Sequence, residues 1–180
     1  MKSISQTWGT VAAERELSFP CDGVIPNPAE TLFRGITINA PAGIVFRWLC
    51  QMRVAPYSYD WLDNGGRPSP PNLSPGLDQL AEGQTMMQIF KLVSFARDEH
   101  LTIQMKPRST SSKMFGDIVV SYVIHPMSDR SCRLVVKIVG NYPTGLWGRL
   151  MSVVLPWGDL VMMRRQLLNF KALAEDSATR

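Results

Sequence analysis

Along residues 157–175 (WGDLVMMRRQLLNFKALAE) the apolar positions recur at helical spacing. Set at 100° steps, Met163, Leu167, Leu160, Leu168, Trp157 and Val161 fall on one broad arc, while Asp159, Arg165 and Asn169 lie outside it. The pattern predicts an amphipathic helix of roughly 28 Å, long enough to cross a small domain. Such a helix needs a large apolar surface to lie on, and the strand-like segments upstream are the candidates. Residues 31–39 (TLFRGITIN) alternate, with Leu32, Ile36 and Ile38 on one side. Pro41 suits the first turn of a following helix, on which Val45, Trp48, Leu49 and Met52 share a face opposite Arg47 and Gln51. Pro56 ends it, and Ser58 is placed to cap a second short helix over 59–63.

Residues 84–96 and 101–106 predict two strands joined near 97–100. In the second, Leu101, Ile103 and Met105 face one way and Thr102, Gln104 and Lys106 the other. Residues 107–116 form a polar connection. Residues 117–125 and 132–141 predict a hairpin around PMSDRS, with Arg133 and Lys137 on its wet face and Leu134, Val136 and Ile138 on its buried one. Thr144 can cap a helix over 145–154, and Pro156 either kinks it or starts the last helix afresh. Asp159 in the first turn of that last helix and Lys171 in its final one suit the helix dipole.

Two stretches carry no regular pattern. Residues 1–30, punctuated by Pro20, Pro26 and Pro28, predict an irregular arm with a helical turn near 11–17. Residues 65–76 (GGRPSPPNLSPG) predict a long loop, either a lid over a site or a surface excursion with no role. Strands and helices are segregated along the chain, which predicts an α+β protein: a curved antiparallel sheet wrapped around a long C-terminal helix, with two short helices after the first strand.

Size and charge narrow the classes. A chain of 180 residues is one domain that buries roughly 70% of its unfolded surface. The net charge of +4 is spread over single and paired basic residues, without the basic stripe and interleaved aromatics that nucleic acid requires. Three cysteines, Cys21, Cys50 and Cys132, are odd in number and widely spaced, which argues against a disulfide framework or zinc site and for a reducing cytoplasm. The N-terminal residues lack the apolar run of a signal peptide, and charges break the window 146–168, so no stable membrane insertion is expected.

Residues 36–64 (ITINAPAGIVFRWLCQMRVAPYSYDWLDN) join a strand ending in I-x-A-P, a helix bearing W-x-x-Q-M, and the run Y-S-Y-D-W-L-D-N. This resembles the START-like (SRPBCC), or helix-grip, superfamily, and within it bacterial proteins described as polyketide cyclase/dehydrase-like. The hairpin residues 134–141 and the ending LPWGDLVMMRRQLLNFKALAE are similar to the same group. The resemblance implies a helix-grip domain over 31–176, preceded by the arm, with a cavity for an apolar or amphipathic small molecule. Members of the superfamily carry lipids, bind hormones or cyclise polyketides, so fold alone does not choose among these.

No Ser-His-Asp pattern, Gly-rich phosphate loop or metal-ligand spacing occurs, His100 and His125 are far apart, and no cofactor is expected. In the YSYDWLDN run, Tyr57, Tyr59 and Trp61 each pair an apolar ring with a polar atom, suited to a pocket rim or to packing. Asp60 and Asp63 can serve as acid or base if desolvated. Arg164 falls inside the apolar arc, where it must snorkel, pair with a carboxylate or anchor an anionic ligand. Met86, Met87, Met105, Met162 and Met163 fall in elements expected to line the interior. The candidate ligand-contacting set is Tyr57, Tyr59, Trp61, Met86, Met105, Tyr122, Leu160, Met163, Arg164 and Leu167. The leading expectation is a carrier of a lipid, isoprenoid or polyketide-like molecule. The alternative is a cyclase or dehydratase acting by positioning and proton transfer. A third is membrane-surface contact through Trp147, Arg149 and Trp157.

Overall fold

In a computed structural model, which describes residues 3–180, six antiparallel strands form one sheet in the order β1-β6-β5-β4-β3-β2. The strands are β1 (Glu30–Ile38), β2 (Thr85–Met86), β3 (Phe90–Ala96), β4 (His100–Met105), β5 (Asp117–Ser128) and β6 (Ser131–Asn141). The helices are α1 (Ile4–Thr7), α2 (Ala42–Cys50), α3 (Asp60–Asp63), α4 (Thr110–Phe115) and α5 (Gly145–Thr179). The strands curve around α5, which packs beside β1 and α2. This is the predicted α+β architecture.

Strand parity decides what faces the helix. Leu32, Arg34 and Ile38 of β1, Leu101 and Ile103 of β4, Val120, Tyr122 and Ile124 of β5 and Leu134, Val136 and Ile138 of β6 point inward, where they are buried with Trp48, Leu49, Met52, Leu167 and Phe170. The Trp48 indole donates to Ser177 Oγ at 3.0 Å, tying α2 to the end of α5.

The other face of the sheet is not wet. Residues of the N-terminal arm cover it, and Phe19, Cys21 and Ile25 form a second apolar cluster with Phe33, Val119, Val135 and Val139. Arg133 and Lys137, expected in solvent, are instead the arm's anchors. Arg133 grips Glu14 through two hydrogen bonds of 2.7 and 3.1 Å and also donates to the Gly9 carbonyl. Lys137 pairs with Asp22 and lies over the rings of Phe19 and Phe33, at 5.2 and 5.6 Å. Gly9 lies so close to β1 that an added Cβ would meet the Gly35 carbonyl oxygen at 2.1 Å, and its φ of +75° suits glycine.

Several local expectations are corrected. Residues 84–96 are two strands, because Met87 and Gln88 adopt left-handed φ of 44° and 63° and turn the chain. The connection 107–116 contains α4, capped by the Ser109 side chain. The cap position of α3 is Tyr59 rather than Ser58. Gln51 is buried, and its amide bonds both the N–H and carbonyl of Ser74, fastening the long loop. That loop is further held by Tyr57 Oη on the Pro70 carbonyl at 3.1 Å and by Asp60 on Ser69 at 2.6 and 2.7 Å.

The largest difference concerns the helix end. α5 runs unbroken through Pro156. Its buried face is Pro156, Leu160, Met163, Gln166, Leu167, Phe170 and Ala174, so the wheel inferred from sequence was turned to one side. Trp157 and Val161 are exposed, and Arg164 is exposed beside the Trp8 ring, 5.8 Å from its centre. Because the helix is unbroken, Asp159 lies within it rather than in a first turn, and it faces inward to Arg34.

Candidate functional site

Between sheet and helix lies a cavity of about 220 Å³. α5 supplies Asp159, Met162, Met163 and Gln166; β5 supplies Ile118, Val120 and Tyr122. The left-handed turn after β2 brings in Met87 and Ile89, with Phe90 beside them, and the segment before and within α3 adds Pro56, Ser58 and Asp63. Most of this wall is hydrocarbon, thioether or aromatic ring. Asp63 and Ile89 are themselves exposed, so the wall reaches solvent on that side.

The polar groups are organised. Tyr122 Oη donates to Gln166 Oε1 at 2.8 Å, and Gln166 Nε2 donates to the Pro56 carbonyl at 2.6 Å. Asn169 Nδ2 donates to the Tyr57 carbonyl at 2.8 Å, holding the same segment against α5. Burial drives the Tyr122 phenol far above its ordinary pKa, so it stays a neutral hydroxyl whose oxygen retains accepting capacity. One side of the cavity is thus a fixed hydrogen-bonding group on an apolar floor.

A second polar feature is ionic. The Arg34 guanidinium, fully buried, donates to Asp159 Oδ2 at 2.7 Å, to its own strand's Phe33 carbonyl at 2.9 Å and to the Pro156 carbonyl at 3.4 Å. Burial pushes the Asp159 carboxyl above its ordinary value against the pull of Arg34. Asp63 is also raised, by desolvation, with a Ser58 hydrogen bond opposing. Two carboxyl groups with elevated proton affinity therefore border the cavity. Among the described residues, no group of His, Cys, Asp and Glu is assembled to hold a metal ion. Cys21, Cys50 and Cys132 are buried and unbridged, and burial raises each thiol.

Of the sequence candidates, Tyr122 and Met163 line the cavity. Tyr57 is buried behind it, edge-on to Trp48 and tilted on Phe170, its phenol pushed up to about 12 by burial. Tyr59 is half-buried at the start of α3, and Trp61 is 74% exposed. Met86, Met105, Leu160 and Leu167 are buried in the core but are not in the cavity wall, and Arg164 is outside. Met87 and Met162, expected from their elements to line the interior, and Asp63, a candidate acid or base, are also in the wall. Gln166, Asp159 and Arg34 were missed. For Arg34 the signal was present: it shares parity with Leu32, Ile36 and Ile38, so it had to point inward.

No protein-family model matches the chain, and no curated protein matches it. Solved structures do match in architecture. A hypothetical protein of Helicobacter pylori superposes with a TM-score of 0.55 at 10% identity, covering 88% of this chain and 95% of its own. The di-domain ARO/CYC BexL from the BE-7585A biosynthetic pathway gives 0.53 at 12% identity, covering 81% of this chain and 46% of BexL. A protein of Chromobacterium violaceum gives 0.52 at 12% identity, covering 81% and 98%. At such identities the likeness is one of fold: a curved sheet closed by a C-terminal helix.

Proposed function

We propose that this helix-grip protein, START-like in architecture, binds a small, largely apolar molecule carrying one hydroxyl or carbonyl group in the cavity between sheet and α5. The observation that supports the reading is a mostly apolar wall in which the neutral Tyr122 hydroxyl, fixed by its hydrogen bond to Gln166, stands beside the carboxyl groups of Asp63 and Asp159. Volume limits the guest. A dry cavity of roughly 150 Å³ takes one benzene ring, so about 220 Å³ suits a single substituted ring or a small bicycle. A full lipid chain or a multi-ring polyketide would need the walls to move. Met87, Met162 and Met163 are side chains able to make such adjustments. Organic extraction and mass spectrometry of protein purified from its own host should release one species of that size. Repeated recovery of empty protein, or of a long-chain lipid, would contradict this.

A second reading rests on Asp63 and Asp159, carboxyl groups at the cavity whose proton affinity is raised. They suit proton transfer during a cyclisation or dehydration of the bound molecule. An Asp63→Asn variant separates the two readings. If the extracted species changes to a precursor, heavier by one water for a dehydration or an uncyclised isomer of equal mass for a simple ring closure, the site is catalytic; a species unchanged in both mass and chromatographic retention marks a carrier.

A further inference from the structure

The N-terminal half of α5 carries a feature the cavity does not use. Leu146, Leu150, Val153, Val154, Trp157 and Val161 follow one another at offsets of three, four and one residues, which places them on one side of the helix. Each is between 49 and 81% exposed. The stripe is roughly 22 Å long. Trp147 flanks it and is fixed by its indole donating to the Met114 carbonyl at 2.8 Å, and Met114 is itself exposed. An apolar strip of this length in water needs a covering partner.

The charges identify the partner. Between residues 145 and 165 the exposed ionic side chains are Arg149, Arg164 and Arg165. The only acid in that span, Asp159, is turned inward onto Arg34. A second copy of the chain meeting this strip about a two-fold axis would bring six arginines to one interface, with no exposed acid from either span to offset them. An anionic lipid surface offers an apolar layer for the stripe, headgroup depth for Trp147 and Trp157, and negative charge for the arginines. We infer that residues 145–165 of α5 dock this protein, lying flat, on an anionic membrane surface. No helix of the described residues is long and apolar enough to cross a membrane, so the contact is interfacial. The inference stands apart from the cavity and survives or fails separately from it.

The test is co-sedimentation of the full chain with phosphatidylcholine vesicles, with and without about 30 mol% phosphatidylglycerol. Wild type should partition about tenfold more strongly onto the anionic vesicles, with a blue shift in tryptophan emission, and release in about 0.5 M salt. Leu150→Glu/Val153→Glu should lose at least about tenfold of that partitioning while keeping wild-type circular dichroism and melting, since both positions are exposed. Arg149→Gln/Arg165→Gln should lose the preference for phosphatidylglycerol. Wild-type partitioning by the Leu150/Val153 variant would overturn the inference, as would equal binding to both vesicles. So would self-association in the ultracentrifuge that this variant abolishes, without vesicle binding, which would assign the strip to a second copy.

Discussion

Arg34 and Asp159 show how much one residue pair decides. A fully buried guanidinium is tolerated because its bonds go to a carboxylate and two backbone carbonyls. Removing one partner leaves the other charge stranded. Arg34→Met should therefore cost about 3 kcal/mol in urea denaturation, and Arg34→Met/Asp159→Leu should recover most of it. Equal loss in single and double variants would show that packing, not charge, dominates there. Tyr122→Phe should cost about 1–2 kcal/mol by leaving Gln166 Oε1 without its donor. The arm's tether has a pH signature. Arg133 hydrogen-bonds the ionised Glu14 carboxylate and, against desolvation, holds its pKa below the ordinary 4.5. A lowered acid stabilises the fold above its unfolded pKa and ceases to do so as pH falls through the folded value. The urea midpoint of wild type should exceed that of Glu14→Gln by a constant amount, about 0.5–1 kcal/mol in stability, from pH 7 down to 5. Below pH 4.5 the gap should close; a gap that persists in acid would contradict the assignment.

At the scale of elements, α5 carries both surfaces of interest. Pro156 lacks the N–H its turn needs, yet the helix continues, held there by Arg34 on the Pro156 carbonyl and by burial of the ring. Pro156→Ala restores the backbone bond at the expense of some packing, and should raise stability by about 1 kcal/mol. A lowered urea midpoint would show that the ring's packing outweighs the missing bond. The same helix explains an error of sequence reading. Its apolar residues fall on two sides: Leu160, Met163 and Leu167 inside, Trp157 and Val161 outside. Merged into one arc, they rotate the apparent buried face, sweep in Arg164 and leave out Gln166 and Phe170. Periodicity assumes that apolar means buried, and here it does not. Strands were clearer, because a period of two allows only two faces. Leu101, Ile103, Leu134, Val136 and Ile138 were legible at once. What alternation could not show is that the opposite face is also covered, by an arm whose anchors Glu14 and Asp22 are more than one hundred residues away from Arg133 and Lys137 in sequence.

For the whole molecule, the α+β order and the grip of sheet on helix were legible from segregated patterns and from the run in residues 36–64. The candidate site was legible only in part, since a cavity is made where packing stops, and no residue type marks that. Tyr122 and Met163 were placed by their elements, while Gln166 became visible only once its bonds to Tyr122 and Pro56 were known. The central claim is that the space these residues border takes a ring-sized guest. Calorimetric titration with 2-naphthol, a bicycle with one hydroxyl, tests it against Val120→Phe, which fills the cavity from β5. Wild type should bind one equivalent with a Kd of about 100 µM, from roughly 25 cal/mol per Å² of ring surface buried, and Val120→Phe should bind at least about tenfold more weakly. No saturable binding, or equal binding by the two proteins, would contradict the account.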